Sequence, residues 1–250
     1  MSNTGQLRKE TIRPESGSNL TMAVAAELGR KIVSRQLQKG ASLPTEGELQ
    51  VEYGVSRTVV REAVRHLASK GLVSVGPKVG TKVRPSSEWN MLDPEVMDWH
   101  LRGAASAEFI AALYEMRLII EPEAARLAAG RIAEAQIQAL KAALEGMGAN
   151  PKGSEDLIAA DLAFHRTILE ATGNPVLRSF GALIENSLSV SFSLSWRKSE
   201  LGQTLKLHGQ VVDAITAGDE ELAALHMRRL IETAYRDVRQ SLAANPGEIK

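Results

Sequence analysis

From about residue 93 to residue 242 the chain repeats one pattern almost without a break. Apolar residues return every three or four positions, and helix-boundary chemistry separates the runs. No other feature constrains the fold as strongly. A stretch with this period has helical stripes to bury and no alternating segments from which to build a sheet. The spacing predicts seven helices, near 93–102, 107–129, 133–147, 155–172, 175–197, 203–216 and 219–242. Asp93 followed by Pro94, and Ser106, Ser154 and Asp219, supply N-caps; Gly173 and Gly218 supply stops. The expectation for 93–242 is an antiparallel all-α bundle, its many alanines allowing close packing.

The N-terminal third reads differently. Residues 1–19 are polar and aperiodic, and a flexible tail is expected there. A helix begins near Thr21, with Val24, Leu28 and Ile32 on one face and Gly40 as its stop. Thr45-Glu46-Gly47-Glu48 has the form of a capping box and opens a short helix that ends at Tyr53-Gly54. Ser56 then caps a third helix with the apolar stripe Val60, Ala63, Val64 and Leu67, ended by Gly71. Leu72–Val75 and Thr81–Arg84 read as two strands of a hairpin. Helix, short helix, tight turn, helix and hairpin is the order of a winged helix-turn-helix. The predicted class is therefore mainly α: a winged helix-turn-helix over 20–85, a linker at 86–92, a bundle over 93–242 and a tail at 243–250.

Charge supports the division. The whole chain is neutral, but residues 1–86 hold 14 Lys and Arg against 7 Asp and Glu, while residues 87–250 hold 16 against 23. A net +7 on the first part and −7 on the second puts the cations with the helix-turn-helix. With the stripe turned inward, Arg57, Thr58, Arg61 and Arg65 lie on the outer face or edge of the third helix. The N-terminal part of that helix is the part that enters a major groove. Lys78, Lys82 and Arg84 on the hairpin are placed for phosphates. Cysteine is absent, which excludes disulfides, iron–sulfur clusters and thiol nucleophiles. No apolar run reaches the roughly 18 residues of a membrane helix, and the N-terminus lacks a signal-peptide core. A soluble, cytoplasmic protein without a membrane partner is expected.

Inside the predicted bundle several polar residues interrupt apolar stripes. Asp161 and His165 sit one turn apart among Leu157, Ile158, Phe164, Ile168 and Leu169. His208 lines up with Val212 and Ile215, and His226 with Leu222 and Leu230. A buried carboxylate needs a partner, and a divalent cation would satisfy Asp161 and the three imidazoles together. Separate hydrogen bonds, or a simple Asp161–His165 pair, would satisfy them as well. Mixed Asp and His ligands suit zinc, nickel, manganese or iron, with zinc the leading expectation. Arg117 interrupts the stripe Ile110, Leu113, Ile120 and Ala124. It calls for an anion: Glu121 or another bundle carboxylate in a structural ion pair, or a ligand carboxylate. Asn186, at the edge of the stripe Leu183, Ser187 and Val190, is a further candidate ligand contact.

Two stretches resemble known families. Leu43-Pro44-Thr45-Glu46, Val55-Ser56-Arg57-Thr58-Val59-Val60-Arg61-Glu62-Ala63, Leu67…Gly71-Leu72-Val73 and Gly80-Thr81…Val83 closely resemble the DNA-binding domain of the GntR superfamily. The resemblance implies operator contacts at Arg57, Thr58 and Arg61. Gly47 departs from it, standing where many members have Arg. Tyr114-Glu115-Met116-Arg117…Glu121, Asp161…Phe164-His165, Gly173-Asn174-Pro175, His208 and Ala224-Leu225-His226-Met227 look like the FCD effector domain of the FadR subfamily. That resemblance implies metal ligands at Asp161, His165, His208 and His226, with a small carboxylate bound beside them near Arg117. Trp89-Asn90…Leu92-Asp93…Val96…Trp99 resembles regulators of sugar-acid catabolism.

The expected function is a homodimeric transcription factor, a repressor by family default. It would bind a pseudo-palindromic double-stranded operator and be released by a small carboxylate. The alternatives are a metal-dependent hydrolase joined to a DNA-binding module, and a metal-stabilised dimer without an effector. No general base stands at a defined spacing, such as the Glu of His-Glu-x-x-His, and no catalytic residue is assigned.

Overall fold

The computed structural model describes residues 17–76, 80–102, 106–194 and 200–244. It divides into two compact units, Met1–Trp99 and His100–Lys250.

In the first unit α1 (Gly17–Val33) precedes α2 (Glu46–Tyr53) and α3 (Arg57–Ser69), followed by the antiparallel strands β1 (Val73–Gly76) and β2 (Gly80–Val83). The register pairs Val73 with Val83 and Val75 with Thr81. The local chemistry of the sequence decides these elements. The Thr45 hydroxyl accepts from the Glu48 amide at 3.3 Å while the Glu48 carboxylate accepts from the Thr45 amide at 2.7 Å, so two orphan donors of α2 are satisfied at once. Gly54, with φ 65°, ends α2, and the Ser56 hydroxyl caps α3 through the Val59 amide. Val60, Ala63, Val64 and Leu67 of α3 are buried against Val24, Leu28 and Ile32 of α1 and Leu49 of α2, one core. Each of the Val, Leu and Ile side chains contributes about 1.5–3 kcal/mol by leaving water.

Two boundaries differ from the sequence reading. Helix α1 already includes Gly17–Asn19, the end of the polar stretch expected to be a tail. It stops at Val33 rather than at Gly40. Arg35 takes the left-handed conformation (φ 61°), its amide donating to the Ile32 carbonyl and the Leu37 amide to that of Lys31. Gly40 instead turns the chain onto the hairpin, donating to the Val83 carbonyl.

The segment read as a linker is fastened to this unit. After the short 3-10 turn Ser86–Glu88, the Trp89 indole donates to the Arg84 carbonyl and the Asn90 amide to the Lys70 carbonyl. Gly71 (φ 79°) lets the Glu88 carbonyl oxygen pass where a Cβ would stand 2.3 Å from it. The next helix, α4 (Pro94–Arg102), was expected to open the bundle, yet Val96 and Trp99 are buried in the core of the first unit. The Trp99 ring occupies the space a Cβ on Gly29 would need. Asp93 caps α4 through the amides of Glu95 and Val96 and also holds buried Lys70, whose Nζ lies 2.8 and 2.7 Å from its two oxygens and 2.5 Å from Glu95. The physical reason for the shifted boundary is this set of contacts, which ties 89–99 to α3 and α1.

The second unit contains α5 (Ala107–Ala129), α6 (Glu134–Ala149), α7 (Glu155–Ala171), α8 (Pro175–Arg178), α9 (Gly181–Leu194), α10 (Leu201–Thr216) and α11 (Glu220–Ala244). The hydroxyls of Ser106 and Ser154 accept from Phe109 and Leu157, and the Asp219 carboxylate from Leu222. The single helix expected at 175–197 is broken. Asn174 caps the one-turn α8, the Ser179 hydroxyl takes the Pro175 carbonyl, and a new helix starts on the Phe180 carbonyl. Helix α5 packs along α11, α6 along α7 and α10 along α11. Tyr114, Leu140, Leu157, Phe164, Val211 and Met227 form the middle of the core. No helix among the described residues is long and apolar enough to cross a membrane.

Candidate DNA-facing helix and buried charged centre

Helix α3 turns its apolar stripe into the first unit and leaves Arg57, Thr58, Arg61 and Arg65 exposed. Glu46, at the start of α2, holds two of these arginines: Arg57 Nε lies 2.7 Å and Arg61 Nε 3.7 Å from its oxygens. Arg65 pairs with Glu62 at 2.7 Å. The arginine side chains remain 54–70% exposed, so their free guanidinium edges face solvent. Beside them a groove of about 940 Å³ runs between α3 and the hairpin, lined among others by Ser42, Thr45, Arg61, Arg65, Val75 and Thr81. Lys82 is exposed on β2, and Arg84 is half-buried against Glu88. Lys78 lies outside the described residues.

The second unit carries a different centre. Arg117 and Glu121 on α5, Asp161 and His165 on α7 and His208 on α10 are each at most 4% exposed. One ligand atom from each of Asp161, His165 and His208 lies within 4.8 Å of the others. Arg117 Nε donates to Glu121 Oε1 at 2.5 Å. The second oxygen of Glu121 lies 2.6 Å from His165 Nδ1, and His208 Nε2 lies 2.9 Å from Asp161 Oδ1. Neither of these last two contacts is aligned as a hydrogen bond.

The protonation of His208 explains why that matters. Its Nδ1 lies 2.8 Å from the Thr204 carbonyl oxygen, which only accepts, so Nδ1 carries the proton. In the neutral ring Nε2 then presents a lone pair to an Asp161 oxygen. Two lone pairs at that distance repel unless a cation lies between them, either a second ring proton or a metal ion. Ligands held about 2.0–2.2 Å from a zinc-sized ion stand about 3 Å apart. The donors here, one carboxylate and two imidazoles, suit a divalent cation by chemistry and by their unaligned contacts, and the 2.9 Å between Asp161 and His208 suits its spacing.

Electrostatics keeps the carboxylates ionised. Burial pushes the Glu121 carboxyl up, but Arg117 and His165 outweigh it and hold the group down to about 2. Asp161 is likewise held below the usual carboxylate range, burial being overcome by His208, His165 and Arg117. Burial works against the Arg117 charge, and Glu121 more than restores it. The guanidinium lies 5.5 Å from the Tyr114 ring, which stacks on Tyr235, and its Nη1 is buried without a hydrogen-bond partner among the described residues. Phe164 meets both His165 and His208 edge-on and walls the centre with apolar surface.

Of the residues singled out in the sequence, the structure brings together Arg117, Asp161, His165 and His208. His226 stands outside the close group; it is half-buried on α11, with Nδ1 buried and lacking a hydrogen-bond partner among the described residues. Asn186 is half-buried on α9, and its neighbour Ser187 is fully buried. Sequence reasoning gave Glu121 only as a partner for Arg117 and missed its contact with His165. The available signal was its place one turn after Arg117.

Comparison with known proteins follows the same division. The family described as bacterial regulatory proteins, gntR family, matches residues 20–83, and the FCD domain matches residues 112–233. The galactonate operon transcriptional repressor of Escherichia coli (strain K12) is 32% identical over 224 residues, covering 89% of this chain and 98% of that protein. The uncharacterized HTH-type transcriptional regulator YieP of the same strain is 36% identical over 208 residues, covering 82% and 89%. Among solved structures, that of Lar, described as controlling the expression of the Listeria monocytogenes agr system, shares the fold at a TM-score of 0.63, with 20% identity over 92% of this chain and 99% of that one.

Proposed function

The chain belongs to the GntR family of bacterial transcription regulators, in the FadR-like branch that carries an FCD domain, and from that premise we propose that it is a homodimeric repressor released from its operator by a small carboxylate, a sugar acid, bound beside a divalent metal. The regulator class rests on the family; the ligand and the metal rest on the buried centre. The observation that carries the reading is the set Arg117, Glu121, Asp161, His165 and His208, buried together with ligand atoms close but not hydrogen-bonded. Such a set is costly without an ion to organise it.

Asp161, His165 and His208 would hold the metal, and His226 is proposed as the fourth ligand. A bound cation supplies a positive pole for a carboxylate. The Arg117 guanidinium, with its free Nη1, supplies directional donors for the same group, and Asn186 is proposed at the edge of that ligand. In the first unit Arg57, Thr58, Arg61 and Arg65 are proposed to read one half-site of a pseudo-palindromic operator, with Lys78 on a phosphate. Release then requires that the carboxylate bind the two operator-affinity states unequally, a coupling commonly about 1–3 kcal/mol. The galactonate operon in the name of one relative favours a sugar acid as the effector.

Two variants test the halves separately. In fluorescence-anisotropy titrations Arg61→Ala should weaken operator binding at least about tenfold, the loss of one good base contact, and spare zinc binding. His208→Ala should bind operator and lose both zinc affinity and carboxylate-induced release. Unchanged operator affinity in Arg61→Ala would sink the recognition-helix assignment. Operator binding indifferent to every carboxylate, with zinc bound, would leave the metal a purely structural part.

A further inference from the structure

The buried charges described in the second unit form one small set. Among its described residues the only buried acidic, basic or imidazole side chains are Arg117, Glu121, Asp161, His165 and His208. Glu121 neutralises Arg117, at 2.5 Å. Histidines that ligate a metal are neutral. Asp161 therefore contributes the one negative charge left over, and a divalent cation turns that into a single positive charge. No other buried residue among those described in this unit adds to the count.

We infer that Glu121 sets the charge of the effector, so that the metal-loaded centre selects a monoanionic carboxylate and rejects dianions of the same size. The inference rests on the proposed metal-and-carboxylate reading and adds a selectivity to it. One carboxylate brings the buried centre to neutrality. A second leaves an uncompensated negative charge in surroundings that exclude water, which is heavily penalised. Without Glu121 the Arg117 charge would be free, the loaded centre would carry two positive charges, and dianions would be the matched ligands. Glu121 thus acts on Arg117 and His165 rather than on the effector, and is a specificity-determining residue one contact removed.

The test compares two six-carbon sugar acids on the full-length, zinc-loaded protein: galactonate, with one carboxylate, and galactarate, which differs by a second terminal carboxylate. Isothermal titration calorimetry should give the monoanion at least about tenfold tighter binding, as one unmatched buried charge requires. Glu121→Gln keeps the side-chain shape and removes its charge; it should bring the two affinities within about threefold or invert their order. Equal or tighter binding of galactarate by the unaltered protein overturns the inference. So does a folded Glu121→Gln protein, checked by circular dichroism, that keeps the original ratio. If that variant does not fold, the comparison on the unaltered protein decides alone. Binding of neither acid to the unaltered zinc-loaded protein would instead overturn the reading on which the inference rests.

Discussion

Lys70 shows how one side chain can define a boundary. It closes α3, is 6% exposed, and gives its ammonium to Asp93 and Glu95 beneath the Trp99 ring. Burial works against its charge, but Asp93 and Glu95 hold Lys70 above the usual lysine range, and Lys70 in turn holds Asp93 below the usual carboxylate range against its own burial. The two shifts fix the pH window of the contact. A raised lysine contributes fully below its ordinary 10.5 and loses its contribution as pH rises through the folded value. A depressed aspartate contributes above its ordinary 3.8 and loses its contribution as pH falls through the folded value. Lys70→Met should therefore lower the stability of the first unit by about 2–3 kcal/mol, the size of a charge-assisted hydrogen-bond pair. In urea melts that deficit should be constant between about pH 5 and pH 9 and shrink towards pH 3. A deficit that persists undiminished at pH 3 would assign the loss to packing of the aliphatic stem instead.

At the scale of elements, local chemistry transferred well from sequence to structure and tertiary rotation did not. The capping box at Thr45, the Ser56 cap and the stripe Val60, Ala63, Val64 and Leu67 involve neighbours a few residues apart, and each appears as its spacing implied. Thr45→Ala should accordingly cost about 1 kcal/mol and speed amide hydrogen exchange in α2 before any other helix. An unchanged α2 exchange rate would mean that Leu49 packing alone holds that helix. The break between α8 and α9 is not visible in the apolar spacing alone, and only the carbonyl partners of Ser179 and Phe180 reveal the restart. The charged centre was legible in part for a related reason. Periodicity shows that Asp161, His165 and His208 face inward; it does not say how far α11 is rotated, and His226 is only half-buried. Nor does it bring α5 against α7, which is what places Glu121 beside His165.

The molecule as a whole keeps two opposite charge economies in two cores. Among the described residues the first unit buries one cation, Lys70, and displays the arginines of α3, while the second buries three kinds of ionisable group in one cluster. A divalent cation should therefore act on the second unit only. Zinc at about 100 times its Kd should stabilise that unit by about 2.7 kcal/mol, move its thermal transition upward, and leave the transition of the first unit in place. Scanning calorimetry with zinc and then with EDTA checks this, and an equal upward shift of both transitions would put the ion elsewhere. The position of Trp99 has a practical consequence for anyone dividing the protein. The family match to the DNA-binding domain ends at residue 83, which invites a fragment cut there. Such a fragment would lack Val96 and Trp99, open the notch at Gly29, strip Lys70 of both carboxylates and present raw apolar surface to other copies of itself. The compact unit runs to Trp99, so a well-behaved DNA-binding fragment keeps α4 at least that far.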